Sequence, residues 1–146
     1  MKTIKIILLV TLCFQLQQAS AQTSYDITGN WVVDADKTFD SMGVQQKTKY
    51  NNMPQEKQQH IYELFENRTF RFYGDSLVQV RFQTDSVQKI NGTYYYNSAN
   101  RKLSINVKGT ITQYNVEWLA QNKLKLVFLT ASPQGLLNSL YLVLNN

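Results

Sequence analysis

From residue 69 to the end of the chain, apolar and polar side chains alternate with a period of two, run after run. Every run turns its apolar members to the same side. Period-two alternation is the mark of a strand with one face in a core and the other in water. The reading gives strands over 69–73, 77–83, 89–96, 102–108, 112–119, 123–130 and 139–145. An earlier strand contains Ile27, Gly29, Trp31 and Val33 on one side, with Thr28, Asn30 and Asp34 on the other. A chain patterned this way is all-β.

The registers can be worked out from the turns, because a slip of one residue would drive the core face into water. A three-residue turn Gly74-Asp75-Ser76 sets Phe72 opposite Val78 and Phe70 opposite Val80. A turn at Ala99-Asn100 sets Tyr96 opposite Leu103 and Tyr94 opposite Ile105. A turn at Thr110-Ile111 sets Val107 opposite Tyr114 and Ile105 opposite Val116. Ala120-Gln121-Asn122 sets Trp118 opposite Leu124 and Val116 opposite Leu126. A wider loop through Pro133 and Gly135 sets Phe128 opposite Leu140 and Leu126 opposite Leu142. These loops have common hairpin lengths. Eight strands suffice to close a small barrel, and pairing the first with the last would leave no free edge. The expected architecture is an eight-stranded antiparallel up-and-down barrel with one helical insertion. An open, sandwich-like meander fits the same alternation.

The insertion lies at about 53–66. Pro54 suits a first helical turn, where its missing N–H costs nothing, and Glu56 follows where the helix dipole favours an acid. Ile61, Leu64 and Phe65 form one stripe at helical spacing. The stretch before it, from Asp34 to Asn52, reads as a loop with a helical turn.

The start of the chain reads as a targeting segment. Lys2 and Lys5 precede a short apolar run from Ile6 to Phe14, and Ala19-Ser20-Ala21 is a small-x-small cleavage site. This is the layout of a secretory signal peptide, 1–21, with an apolar run too short to span a bilayer. The expectation is an exported domain over 22–146, periplasmic or extracellular. Cys13 follows Leu12, which is not the small residue a lipoprotein signal requires. Cys13, the sole cysteine, leaves with the signal, so the domain has no disulfide, thiol nucleophile or cysteine metal ligand. Lys2 and Lys5 leave too, and the formal net charge falls from +5 to +3. The basic residues are dispersed rather than gathered in the stripe that a nucleic-acid partner requires.

By register, Trp31, Phe70, Phe72, Phe82, Tyr94, Tyr96, Tyr114, Trp118 and Phe128 point inward. An eight-stranded barrel is just wide enough to be filled by side chains or to hold one small ligand. If a ligand is held, Trp31, Phe70, Phe82, Tyr94, Tyr96, Tyr114, Trp118 and Phe128 are the candidate interior residues. One outward strip departs from the polar rule: Val127, Leu129, Tyr141 and Val143. Either the segment between the first two strands covers it, which the unplaced helix stripe favours, or it is a surface for a partner or a weak homodimer.

Gly29-Asn30-Trp31 at the start of the first strand, a meander carrying Gly92-Thr93-Tyr94, and the signal peptide together resemble the bacterial lipocalin-like domain proteins of the calycin group. The helical stretch between the first two strands is similar to that of the fatty-acid-binding proteins, where such an insertion lids the barrel. The resemblance implies a barrel with an interior site for a hydrophobic ligand. It does not bring fatty-acid binding with it. Those proteins hold the carboxylate with Arg-x-Tyr in the last strand, where this chain has Ser139-Leu140-Tyr141. The late-strand arginine that packs on the tryptophan in lipocalins is also missing, since no arginine follows Arg101.

The residues supply no catalytic constellation. His60 is the one histidine and reads as a surface residue beside the helix stripe. Haem would need an axial ligand inside the barrel, and zinc several clustered ligands. Asp34, Asp36 and Asp40 read as turn and helix-start residues rather than a calcium loop. Asn67-Arg68-Thr69 and Asn91-Gly92-Thr93 match the N-glycosylation acceptor. The expectation is therefore a non-enzymatic barrel without cofactor or metal, binding a small apolar or amphipathic molecule inside. The alternative is an interaction module or inhibitor of the cell envelope that uses its outer surface.

Overall fold

Once formed, a half-apolar strand must hide one face, and eight of them in sequence hide it best by curling round on themselves. A computed structural model describes residues 25–83, 86–130 and 135–145. The proposed signal segment and Cys13 lie outside these residues. The strands are β1 (Gly29–Val33), β2 (Thr69–Phe72), β3 (Leu77–Gln83), β4 (Val87–Asn97), β5 (Lys102–Val107), β6 (Thr110–Ala120), β7 (Lys123–Phe128) and β8 (Ser139–Leu144). Each pairs antiparallel with its sequence neighbour, and β1 pairs with β8, so the sheet is a closed up-and-down barrel. The open meander is excluded. Trp31 stands opposite Phe70 on one side and Leu144 on the other.

Three of the expected registers hold. Phe72 faces Val78 and Phe70 faces Val80, and the third turn residue, Ser76, takes the left-handed conformation (φ 66°). That is the three-residue hairpin ending in an αL residue. Tyr96 faces Leu103 and Tyr94 faces Ile105. Here the chain turns through residues 98–101, and the Asn97 carboxamide oxygen accepts the backbone N–H groups of Ala99 and Asn100. Trp118 faces Leu124 and Val116 faces Leu126, with a bulge between Trp118 and Ala120.

Two registers are corrected. Between β5 and β6 the turn is Lys108-Gly109, not Thr110-Ile111, so Tyr114 faces Leu103 and Ile105 faces Thr112. Both turn residues have positive φ, 51° and 84°, the conformation a two-residue type I′ hairpin demands and glycine meets without strain. Between β7 and β8, Leu126 faces Leu140 and Leu124 faces Leu142. The connecting loop tucks Leu136 and Leu137 into the core, with 2% and 4% of their surface exposed, before β8 begins. Both slips are even-numbered, so the inward set survives.

The single helical insertion is also corrected. Three helices connect β1 to β2: α1 (Ala35–Asp40), α2 (Val44–Asn51) and α3 (Gln55–Glu66). The first is too short to show a period, and the second buries no residue and has no apolar stripe. Asp34 caps α1, its carboxylate accepting the Lys37 N–H at 3.0 Å. Only α3 carries a stripe, and it buries Ile61 and Phe65. Phe39 of α1 gathers Tyr50, Tyr62 and Phe65 around itself with ring centroids 5.2, 5.3 and 5.9 Å away, welding the three helices together.

Helix α1 docks on β8. The fully buried Thr38 accepts the Tyr141 N–H on its hydroxyl at 3.0 Å, and the Asp34 N–H donates to the Tyr141 carbonyl at 2.8 Å. The helix thus takes over the hydrogen bonding of β8 where β1 ends. Lys37 also lies over the Tyr141 ring at 4.7 Å. Along the outward apolar strip, Val127, Tyr141 and Val143 are half-buried, while Leu129 is 42% exposed.

Candidate functional site

The inward aromatic residues divide between the two ends of the barrel. At one end the indole of Trp31, 1% exposed, donates to the Ile27 carbonyl at 2.8 Å and meets Trp118 edge-on at 5.7 Å. Trp118 stacks on Tyr25 at 4.8 Å and donates to the Tyr96 hydroxyl at 3.1 Å. Tyr94 donates to the Tyr73 carbonyl at 2.7 Å and packs against Phe72 at 4.9 Å. The polar tips at this end are therefore spent on the protein itself. Trp31, met edge-on by Trp118 and standing opposite Leu144 across the β1–β8 pairing, is buried with no arginine over it.

The other end is hollow. A cavity of about 400 Å³ is walled by Phe70, Val80 and Phe82 from β2 and β3, Ile90 from β4, Ile105 and Val107 from β5, Tyr114 from β6 and Phe128 from β7. Phe65 of α3 closes one side, and Leu136, Leu137 and Leu140 close another. The volume lies toward the small end of ligand sites, which run from roughly 300 to 1,000 Å³. Four of the eight candidate interior residues, Phe70, Phe82, Tyr114 and Phe128, line it. Trp31, Tyr94, Tyr96 and Trp118 belong to the packed end and are not among its walls.

The cavity reaches the surface beside β4. That strand pairs with β3 from Val87 to Thr93, but its pairing with β5 stops at Thr93 opposite Asn106. Beyond that point the seam is open, and Lys108 and Thr110, both exposed, form part of the wall. Gly92 sits at the split, where a Cβ would run into the Asn106 carbonyl.

Two polar features face the cavity, Arg68 and the Tyr114 hydroxyl, and only Tyr114 is expected there from the sequence. Arg68 stands one step before β2, and the period-two count Phe72, Phe70, Arg68 puts it on the inner side. That count was the available signal. The triplet Asn67-Arg68-Thr69 was read as a glycosylation acceptor instead. The guanidinium lies over the Phe65 ring at 4.3 Å and 5.7 Å from the Phe82 ring. Its Nε is buried with no hydrogen-bond partner among the described residues. Burial pulls the Arg68 pKa below its ordinary value. The second feature is the Tyr114 hydroxyl, pushed up to about 12 by burial, with the Arg68 charge and a side-chain hydrogen bond with Thr112 pulling it the other way. Lys108, exposed at the β5–β6 turn, completes the polar rim. No acidic side chain lines the cavity among the described residues.

His60 is exposed on α3. Asp34 caps α1, and Asp36 accepts the Tyr62 hydroxyl at 2.6 Å. No group of three or more metal-ligating side chains occurs among the described residues. No helix among them is long and apolar enough to cross a membrane.

No family model matches the chain, and no curated protein does. Among solved structures, a DUF4847 family protein from Bacteroides vulgatus ATCC 8482 is similar to it, with 16% identity over 82% of this chain and 93% of that one, at a TM-score of 0.46.

Proposed function

We propose that the chain is an exported, lipocalin-like barrel that binds a small apolar or amphipathic molecule inside and performs no catalysis. The observation that carries this reading is the cavity of about 400 Å³ at one end of the barrel. Its walls are mostly Phe, Val, Ile and Leu, with a few polar groups at one side. Ligand sites have this composition, apolar walls for affinity and a few polar groups for orientation. The signal-peptide pattern of 1–21 supports export to the periplasm or beyond. Native mass spectrometry of the purified protein, with displacement of a fluorescent lipid, tests the reading. A bound small molecule, or displacement that saturates at one site, is expected. A protein that carries nothing and leaves the probe undisplaced would overturn it.

A second reading, an envelope interaction module or weak homodimer, draws on Leu129, 42% exposed beside half-buried Val127 and Val143. Light scattering over a concentration series tests it. A monomer at every concentration removes the homodimer, and a pull-down from envelope extract that Leu129→Lys leaves unchanged removes this strip as the docking surface.

A further inference from the structure

We infer that the interior ligand is a small amphipathic anion, a single negatively charged head on an apolar body, and that Arg68 anchors the head. This rests on the cavity being a binding site and names the chemistry of what binds there.

Arg68 is half-buried, and its Nε is wholly buried in the cavity wall. Arginine carries five N–H donors and stays charged at any physiological pH. Putting such a group in an apolar wall is costly unless a carboxylate or several acceptors meet it. Arg68 is met by rings instead. Phe65 lies beneath it at 4.3 Å and Phe82 beside it at 5.7 Å. Ring faces hold the cation in place but accept none of its hydrogens. The Nε finds no acceptor among the described residues. The titratable group that feels its charge is Tyr114, a neutral phenol. The backbone of Arg68 is otherwise committed, its carbonyl accepting the Val33 N–H at 3.0 Å and its N–H donating to Phe65 at 3.1 Å. The side chain is thus held against the cavity by the fold, with its charge uncompensated there.

The rest of the wall fits an anion of this kind. The cavity lining holds two cations, Arg68 and Lys108, against no acid among the described residues. Lys108 stands at the exposed rim, where it adds attraction for an incoming anion that salt screens. The Tyr114 hydroxyl and Thr112 lie with Arg68 in the same lining and can share the head. Phe70, Val80, Ile105 and Phe128 offer the apolar body a surface. Among anionic heads, a carboxylate or phosphate can take two parallel N–H bonds from one guanidinium. An alcohol cannot neutralise the charge, and an ammonium head would add to it.

The test compares probes of one chain length and different heads: decanoate, decyl phosphate, decanol and decyltrimethylammonium. Binding to the purified protein is followed by calorimetry. Decanoate, decyl phosphate or both are expected to bind about tenfold or more tighter than decanol, the difference expected when a hydrogen bond to a charged group is gained. Whichever of the two binds tighter identifies the head. Arg68→Met should erase the preference, and Arg68→Lys should keep part of it. Equal binding of decanol and both anions would overturn the inference while leaving interior binding intact. So would a preference that survives in Arg68→Met. If none of the four probes binds, interior binding falls and the inference with it. The comparison of probes on the unaltered protein stands whether or not the variants fold.

Discussion

The two ends of this barrel are built from the same kinds of residue and do opposite things with them. At the Trp31 end, three aromatic polar tips find partners within the protein: Trp31 on Ile27, Trp118 on Tyr96, Tyr94 on Tyr73. At the Arg68 end, rings line about 400 Å³ of space, and a charged side chain is left facing it. One end is a plug and the other a pocket. Large side chains close a barrel only where their hydrogen-bonding atoms are also satisfied.

The sharpest way to break this contrast is to truncate a ring at each end. Trp31→Ala should lower the unfolding free energy by about 3–5 kcal/mol, the cost of a large buried ring removed from a packed site. Phe82→Ala, at a half-buried ring that already borders the cavity, should cost less than about 2 kcal/mol. Equal losses in urea melts would mean that the ends are packed alike.

The next largest effect is alkaline. Tyr114 is held neutral up to about 12, against 10 in an unfolded chain. A raised tyrosine pKa favours the fold in full below pH 10 and loses its contribution as the pH climbs from 10 through about 12. That loss should come to about 3 kcal/mol. Tyr114→Phe should flatten that part of the stability curve. Tyr94, whose pKa burial also raises, marks the packed end, and Tyr94→Phe should leave most of the slope in place. An alkaline slope indifferent to Tyr114 would show that its burial is not energetically felt.

Arg68→Met follows. Relieving a buried donor without a partner gains about 1–3 kcal/mol, and losing the Phe65 ring contact gives back part of that. The ligand-free variant should unfold about 1 kcal/mol higher than the parent. A destabilised variant would mean that the guanidinium is already satisfied. The smallest effect is at the mouth. Gly109→Ala forces a Cβ into positive φ at 84° and should cost about 1 kcal/mol, visible as a lowered Tm.

The strand pattern was legible because period two is robust. The two misplaced turns shifted the pairings by even numbers, so every residue expected to face inward still does so. The β5–β6 turn was missed because Lys108 gives no turn signal, although Gly109 beside it does. The loop before β8 was misjudged because Leu136 and Leu137 read as ordinary apolar residues, and only the closed fold shows them filling a mouth. Helices α1 and α2 left no pattern, being short or polar all round. The site was half legible. Alternation identified the inward rings but could not say which would pack together and which would border a cavity, since that depends on how the whole barrel closes. Arg68 escaped because a charge on an inward register is what pattern reading is built to dismiss, and such misfits gather at functional positions.

The open seam has another side. A closed barrel has no edges, which is its defence against pairing with other chains. β4 pairs with β5 only from Thr93 to Asn97, so its preceding stretch, 87–92, has a side without a strand partner among the described residues. Such an edge is a template on which a strand from another molecule could grow. Lys89 on that stretch and Lys108 across the gap put positive charge on it, as edge strands commonly do to repel intruders. The unpaired side of β4 that borders the cavity is thus also the place where this fold must guard itself against aggregation.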